Sequence, residues 1–253
     1  MDDLTLAQAL ADRADEITLL HFDHPDLRVQ AKPDRSLVTQ VDIETEAALR
    51  ALLAEHRPGD GVLGEEAGET TGDAVNSRRW ILDPLDYTSN YVRGIPVFAT
   101  LIALESAGEI VVGVVSAPAM GRRWWAARGQ GAYADGRRIK VSGVGTLGEA
   151  LIGYAALQEW NKRGRVPAIT EIQGEANSQF SVGGFWGHML VAEGRMDAAL
   201  DPWGEIWDIA PSLVIVEEAG GRVTDLEGIA RPDAGCAIVT NGLLHDEILA
   251  RLG

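Results

Sequence analysis

Trp80-Ile81-Leu82-Asp83-Pro84-Leu85-Asp86-Tyr87-Thr88 is the stretch on which the fold turns. Trp80-Ile81-Leu82 is an apolar, strand-forming run, and Asp83-Pro84 cannot extend a helix because proline holds its predecessor in extended conformations. A strand is therefore expected here, opening into a loop at the two carboxylates. Asp83, Asp86 and the Leu85 carbonyl would then present oxygens toward one point. Such ligands suit a hard divalent cation like Mg²⁺ better than nitrogen or sulfur ligands do. A solvated acidic turn is the plainer reading of the same residues. Two further acidic segments, Glu65-Glu66 after Val62-Leu63-Gly64 and Asp208 after Trp207, enlarge the set.

Working outward, Leu4, Ala7, Leu10, Ala11, Ala14 and Ile17 recur at helical spacing and predict an opening amphipathic helix. After the polar segment Lys32-Pro33-Asp34-Arg35-Ser36, a second helix is expected over 42–54, with Asp42 near its start, where an ordinary N-cap is one role open to it. Val62-Leu63-Gly64 reads as a short strand and residues 67–79 as a mobile polar surface loop. Residues 98–104, 110–116 and 123–127 are β-type runs of an antiparallel meander, which Gly129-Gln130-Gly131-Ala132-Tyr133 and Asp135-Gly136 continue as a hairpin. Further on, strands at 151–154, 198–200 and near Val223 alternate with helices over 184–193 and 209–219. The expected division falls near 141–147, giving a half 1–142 with most of the acidic ligands and a half 143–253 that completes the site. No linker composition marks it, so a tight interface is expected.

With 253 residues and 46% hydrophobic content the chain can bury a substantial core. A formal charge of −16 repels polyphosphate and anionic lipid, which argues against nucleic-acid and membrane partners, although bound cations would reverse the potential locally for a small anion. The single cysteine, Cys236, cannot form an internal disulfide and reads as a small buried hydrophobe. Met1-Asp2-Asp3-Leu4 lacks the basic segment of a secretory signal, and no apolar run reaches the roughly 18 residues of a membrane span. A soluble, cytoplasmic protein is expected.

Three separated motifs, in order, make the reading specific: Gly64-Glu65-Glu66, the stretch from Trp80 to Thr88, and Trp207-Asp208-Ile209-Ala210. Together they resemble the inositol monophosphatase superfamily over nearly the whole chain. The nearest branch resembles histidinol-phosphatase-like enzymes, on Asn90-Tyr91-Val92-Arg93-Gly94-Ile95-Pro96, on the segment 121–129 and on Val191-Ala192-Glu193-Gly194. The resemblance implies an α/β (α+β layered) αβαβα sandwich of inositol-monophosphatase and sugar-phosphatase type. It implies Mg²⁺-dependent hydrolysis of a small phosphomonoester, most like histidinol phosphate, by metal-activated water, with two or three Mg²⁺ ions and a homodimer. One ion would take Glu65, Asp83 and the Leu85 carbonyl, and another Asp83, Asp86 and Asp208. Asp42, Glu65 and Thr88 would be catalytic, the Thr88 hydroxyl polarised by Asp42, and the backbone N–H groups of Tyr87 and Thr88 would hold phosphate oxygens.

The chain departs from the family pattern where Tyr87 replaces the glycine that follows the second aspartate, next to the expected phosphate. If that glycine uses positive φ, tyrosine is strained there by one to a few kcal/mol. Ser89, Gly184 and Trp203 also differ from the nearest branch on the expected substrate side, where Arg93 and Asp201 are further candidate contacts. Arg93 reads as a structural ion pair as readily as a substrate contact, whereas Trp207 reads as packing that positions Asp208 ahead of a substrate contact, and His188 as a satisfied interior or interface histidine ahead of a ligand or catalytic group. Two other functions stay open. One is a scaffold redirected to a non-hydrolytic elimination or cyclisation, with Tyr87 as a pocket acid or base; the other is a non-catalytic metal-binding module.

Overall fold

The computed structural model describes residues 1–33, 36–73 and 77–253. Expectations that fall on Asp34, Arg35 and residues 74–76 lie outside the described residues. The chain separates into two compact units, Met1–Trp125 and Ala126–Gly253.

The first unit opens with α1 (Asp3–His21), β1 (Val29–Ala31), β2 (Leu37–Thr39) and α2 (Gln40–His56). It continues with β3 (Gly61–Gly64), β4 (Gly68–Thr70), β5 (Arg78–Asp86), the short α3 (Thr88–Tyr91), β6 (Ala99–Ser106), β7 (Glu109–Ala117) and the first four residues of β8 (Arg122–Ala127). Six of these strands are neighbours in the order β8-β7-β6-β5-β3-β4. Of the expected meander, β6 and β7 pair antiparallel and β8 lies beside β7, while β5 adds a further antiparallel neighbour to β6. The opening helix buries the stripe anticipated for it, Leu10, Ala11, Ala14 and Ile17 among others.

Three local expectations are corrected. The strand does not open into a loop at Asp83; β5 runs on to Asp86, with a register shift between Asp83 and Asp86 against β6. A bulge tolerates Pro84, which has no N–H to give to a ladder, and Thr100 donates its hydroxyl to the Pro84 carbonyl at 2.9 Å. The segment 67–79 is not all loop, because Gly68–Thr70 pairs antiparallel with β3. The second helix begins two residues before Asp42, and its N-cap is Thr39.

The second unit contains the hairpin β9 (Ala132–Ala134) and β10 (Arg137–Arg138), turned through Asp135 and Gly136, both at positive φ. Two residues with φ > 0 between antiparallel strands suit the right-handed strand twist, which is why an Asp-Gly pair signals such a turn. There follow β11 (Leu151–Tyr154), α4 (Leu157–Lys162), α5 (Val166–Glu175), β12 (Ser178–Phe180), α6 (Gly184–Ala192) and β13 (Ala198–Asp201). The chain ends with α7 (Ile206–Glu218), β14 (Arg222–Thr224), β15 (Ala237–Thr240) and α8 (His245–Leu252). A five-stranded mixed sheet has the order β12-β11-β13-β15-β14. Its core gathers Ile152, Trp160, Ile172, Leu200, Ile238 and Ile248. Because α7 starts at Ile206 and not at 209, Asp208 stands in its first turn.

Candidate functional site

At the end of β5, Asp83 is buried, and its Oδ1 accepts the Leu85 N–H at 2.9 Å. Asp86 does the same one residue on, accepting the Tyr87 N–H at 2.8 Å. Short side chains of this kind bond readily to backbone just ahead of them, and here the bonds hold each carboxylate in one orientation. The Tyr87 N–H, anticipated as a phosphate donor, is thus engaged by Asp86. Tyr87 has φ 65° and ψ 44°, left-handed values that cost a residue with a Cβ about 1–2 kcal/mol. Its side chain packs against the cluster of Ile17, Val41, Leu85, Tyr91 and Phe98, which offsets that strain.

α2 brings Asp42 to the same place from the other side of the chain fold. Thr39 caps the helix, and its N–H and hydroxyl donate to Asp42 Oδ2 at 2.8 and 2.6 Å, a capping box with aspartate at the third position. The Thr88 hydroxyl lies 3.3 Å from Asp42 Oδ1 and 3.1 Å from the Leu85 carbonyl oxygen. A hydroxyl has one hydrogen, so it donates to one of these at a time. Burial pushes the Asp42 carboxyl above the usual carboxylate range, the Thr39 hydrogen bonds pull it down, and the nearby charge of Glu65 raises it again.

Two residues that sequence reasoning missed govern the Glu65 turn. Lys32 donates to Glu65 Oε1 at 2.8 Å and to Glu66 Oε1 at 2.7 Å. Burial, the largest influence on the Lys32 ammonium, favours its neutral form, yet the bonds and charges of both glutamates together raise its pKa well above the ordinary value. Glu66 is raised, by burial first, with Lys32 opposing. Glu46, one turn beyond Asp42 on α2, is buried and accepts the N–H groups of Glu66 and Ala67 at 2.8 and 3.0 Å, while Arg50 Nε donates to it at 2.7 Å. Gly64 is required beside it: a Cβ there would stand 2.3 Å from Glu46 Oε1. The four-residue offset from Asp42 was the available signal for Glu46; Lys32 carried none.

At the start of α7, Asp208 Oδ2 accepts the Glu205 N–H at 2.7 Å. Asp83, Asp86 and Asp208 each offer one carboxylate oxygen, and these three oxygens lie within 4.8 Å of one another. An all-carboxylate donor set fits a hard divalent cation and not a soft one. This cluster could coordinate such an ion.

The residues expected around the substrate are placed as follows. Ser89 and Arg93 are exposed, the Arg93 guanidinium donating to the Ser89 carbonyl at 3.0 Å. Trp203 is 60% exposed. Asp201 is buried, its Oδ2 accepting the Gly184 N–H at 2.8 Å and facing His188 Nε2 at 2.8 Å. Gly184 has φ 59°, which its lack of a Cβ permits. Cys236 is a buried free thiol, and among the described residues no helix is long and apolar enough to cross a membrane.

With this geometry the comparisons with known proteins agree. The model of the inositol monophosphatase family matches residues 2–252, and the chain belongs to that family. Its relatives include a histidinol-phosphatase of Mycobacterium tuberculosis, 49% identical over 99% of this chain and 98% of the relative. Another, from Streptomyces coelicolor, is 44% identical over 100% and 97%. Among solved structures, the extragenic suppressor protein suhB from Bartonella henselae superposes with a TM-score of 0.89 at 31% identity, over 98% of this chain and 97% of that one. The fold is therefore the mixed α/β sandwich of the inositol monophosphatases, as the motifs implied. Family and carboxylate cluster together support a metal-dependent phosphomonoesterase acting on a small molecule.

Proposed function

We propose that this protein is a Mg²⁺-dependent phosphatase that hydrolyses a small phosphomonoester, most like histidinol phosphate. The convergence of oxygens from Asp83, Asp86 and Asp208 within 4.8 Å, in a chain of this family, carries the reading. The names of the relatives at 49% and 44% identity support the choice of substrate.

Asp83, Asp86 and Asp208, with Glu65 and the Leu85 carbonyl, are the residues that would hold two or three ions. When bound, such ions neutralise phosphate charge and acidify water. The rest falls to the chain. Asp42 accepts the Thr88 hydrogen, which leaves the Thr88 lone pairs to receive a hydrogen bond from the attacking water and orient it. Glu65 is the second acceptor for that water, and a proton can pass through Thr88 to Asp42 as the oxygen attacks. Lys32, bonded to Glu65 and Glu66, limits their mutual repulsion. Tyr87, Thr88 and Ser89 line the phosphate side, and Arg93, Gly184, Asp201 and Trp203 the alcohol side. The protein would act as a cytoplasmic homodimer. Tyr87 makes this an altered phosphate loop. Its packing against an apolar cluster gives no support to a role as a pocket acid or base in a redirected, non-hydrolytic reaction.

Purified protein incubated with Mg²⁺ and a panel of phosphomonoesters is expected to release inorganic phosphate, fastest from histidinol phosphate. Tyr87→Gly, which restores the family pattern, is expected to raise that rate. Silence across the whole panel, from protein that takes up Mg²⁺, would overturn the hydrolytic reading.

A further inference from the structure

His188 sits on α6 with 2% of its surface exposed, between Asp201 at 4% and Ser212 at 1%. Its Nε2 is 2.8 Å from Asp201 Oδ2, and its Nδ1 is 2.9 Å from Ser212 Oγ. A carboxylate only accepts, so Nε2 carries the hydrogen on that side whatever the protonation of the ring. The imidazole thus joins the end of β13 to α7 through two hydrogen bonds sealed from water. The same Asp201 oxygen also accepts the Gly184 N–H, which fixes the start of α6.

Ser212 follows Asp208 by four residues, so both side chains lie on one face of α7. Between them stands Pro211, inside the helix. Proline has no N–H for the Trp207 carbonyl and crowds it, which loosens the first turn from the helix that follows. The Asp208 carboxylate is bonded within that turn, to the Glu205 N–H, and this bond cannot set how the turn is rotated about the helix axis. The tie from Ser212 through His188 to Asp201 supplies an anchor at the position where the backbone ladder is broken.

We propose that His188 is a positioning residue that, through Ser212 and Asp201, fixes the first turns of α7 and so aims the Asp208 carboxylate at the cation. This rests on the reading of Asp208 as a cation ligand. His188 touches neither ion nor substrate; its effect is on affinity for the ion. Partners of metal ligands, although they do not bind the ion, change its affinity by about 10–100-fold when lost.

The test uses the full-length protein and Mn²⁺ alone, titrated by calorimetry and by electron paramagnetic resonance, with thermal unfolding of every variant. Ser212→Ala removes one oxygen, and His188→Gln keeps a donor for Asp201 while giving up the reach to Ser212. Each is expected to weaken Mn²⁺ binding by about tenfold. The double variant is expected to be no weaker than the more affected single one, because both break one link. Affinities within twofold of the unsubstituted protein, even with lowered unfolding temperatures, would reduce His188 to a purely structural role and overturn the proposal. If His188→Gln does not fold, Ser212→Ala decides alone. Absence of Mn²⁺ uptake by the unsubstituted protein would instead remove the metal reading itself, and the proposal with it.

Discussion

The end of β5 and the beginning of α7 deliver the same chemical group by opposite means. In β5 a proline-bearing bulge lies between Asp83 and Asp86, which both keep partners on β6, and each fastens one oxygen on a backbone N–H just ahead. In α7 a helix start does it, with Asp208 reaching back to the N-cap N–H. Asp42 repeats the α7 device at the start of α2. In all four cases one carboxylate oxygen is fixed by local backbone and the side chain is oriented before any ligand arrives. Acidic groups held close together repel and disfavour the folded state until something cationic offsets them. Preorganising them by short-range bonds makes that arrangement possible without long, flexible side chains.

If the two segments act as one site, Asp83→Asn and Asp208→Asn should be comparably severe. Asparagine keeps the oxygen that accepts the backbone N–H and loses the charge, so each is expected to lower phosphate release by on the order of a thousandfold. A loss confined to one of the two, in steady-state kinetics with Mg²⁺, would break the comparison. Thr88→Ala or Asp42→Asn, which leave the cluster intact, are expected to cost about a hundredfold in kcat with little change in Mn²⁺ affinity. A matching loss of affinity would show that these two residues shape the cluster and not the proton path.

The α8 region sharpens the contrast by holding a buried imidazole between two hydroxyls. His245 lies between Thr224 and Thr240, at 2.9 Å from each hydroxyl, and burial lowers its pKa from the usual 6.5 to about 4, with Arg222 adding to the effect. The folded state therefore favours neutral imidazole. As pH falls below 6.5 the unfolded chain takes up the proton first, and stability is lost between about pH 6.5 and 4, by about 3 kcal/mol in all. Urea unfolding across that range checks it, and His245→Gln should flatten the dependence; an unchanged profile in the variant would assign the loss to other groups. The smallest effect is expected at Tyr87→Gly. Relief of the left-handed backbone and loss of the ring's packing oppose each other, so the stability change should stay within about 1 kcal/mol by denaturant titration. A larger loss would show that the ring packing dominates.

Much was legible in the sequence because it is local chemistry. Asp83-Pro84 and Asp135-Gly136 report backbone angles, and the apolar spacing of α1 reports a buried stripe. The strands read at 151–154 and 198–200 correspond to Leu151–Tyr154 and Ala198–Asp201. The three family motifs named the acidic residues in order. Elements at the margins of pattern were missed or shifted: α4, α5, β12, β15 and α8 went unread, and α7 starts earlier than its apolar run suggested, because Glu205 and Asp208 define its start by capping.

By itself the sequence determined which carboxylates exist, that the Asp83-Pro84 step is extended, and that the chain has a mixed α/β fold of this family. Only tertiary structure decided that Lys32 pairs with Glu65 and Glu66, that Glu46 grips the turn after Gly64, and that His188 links Asp201 to Ser212. The physical reason is range. Backbone angles and periodicity are set by neighbours a few residues away, whereas a buried charge or imidazole is satisfied by whatever group the fold brings to it. The residues that meet at these points lie up to 34 positions apart.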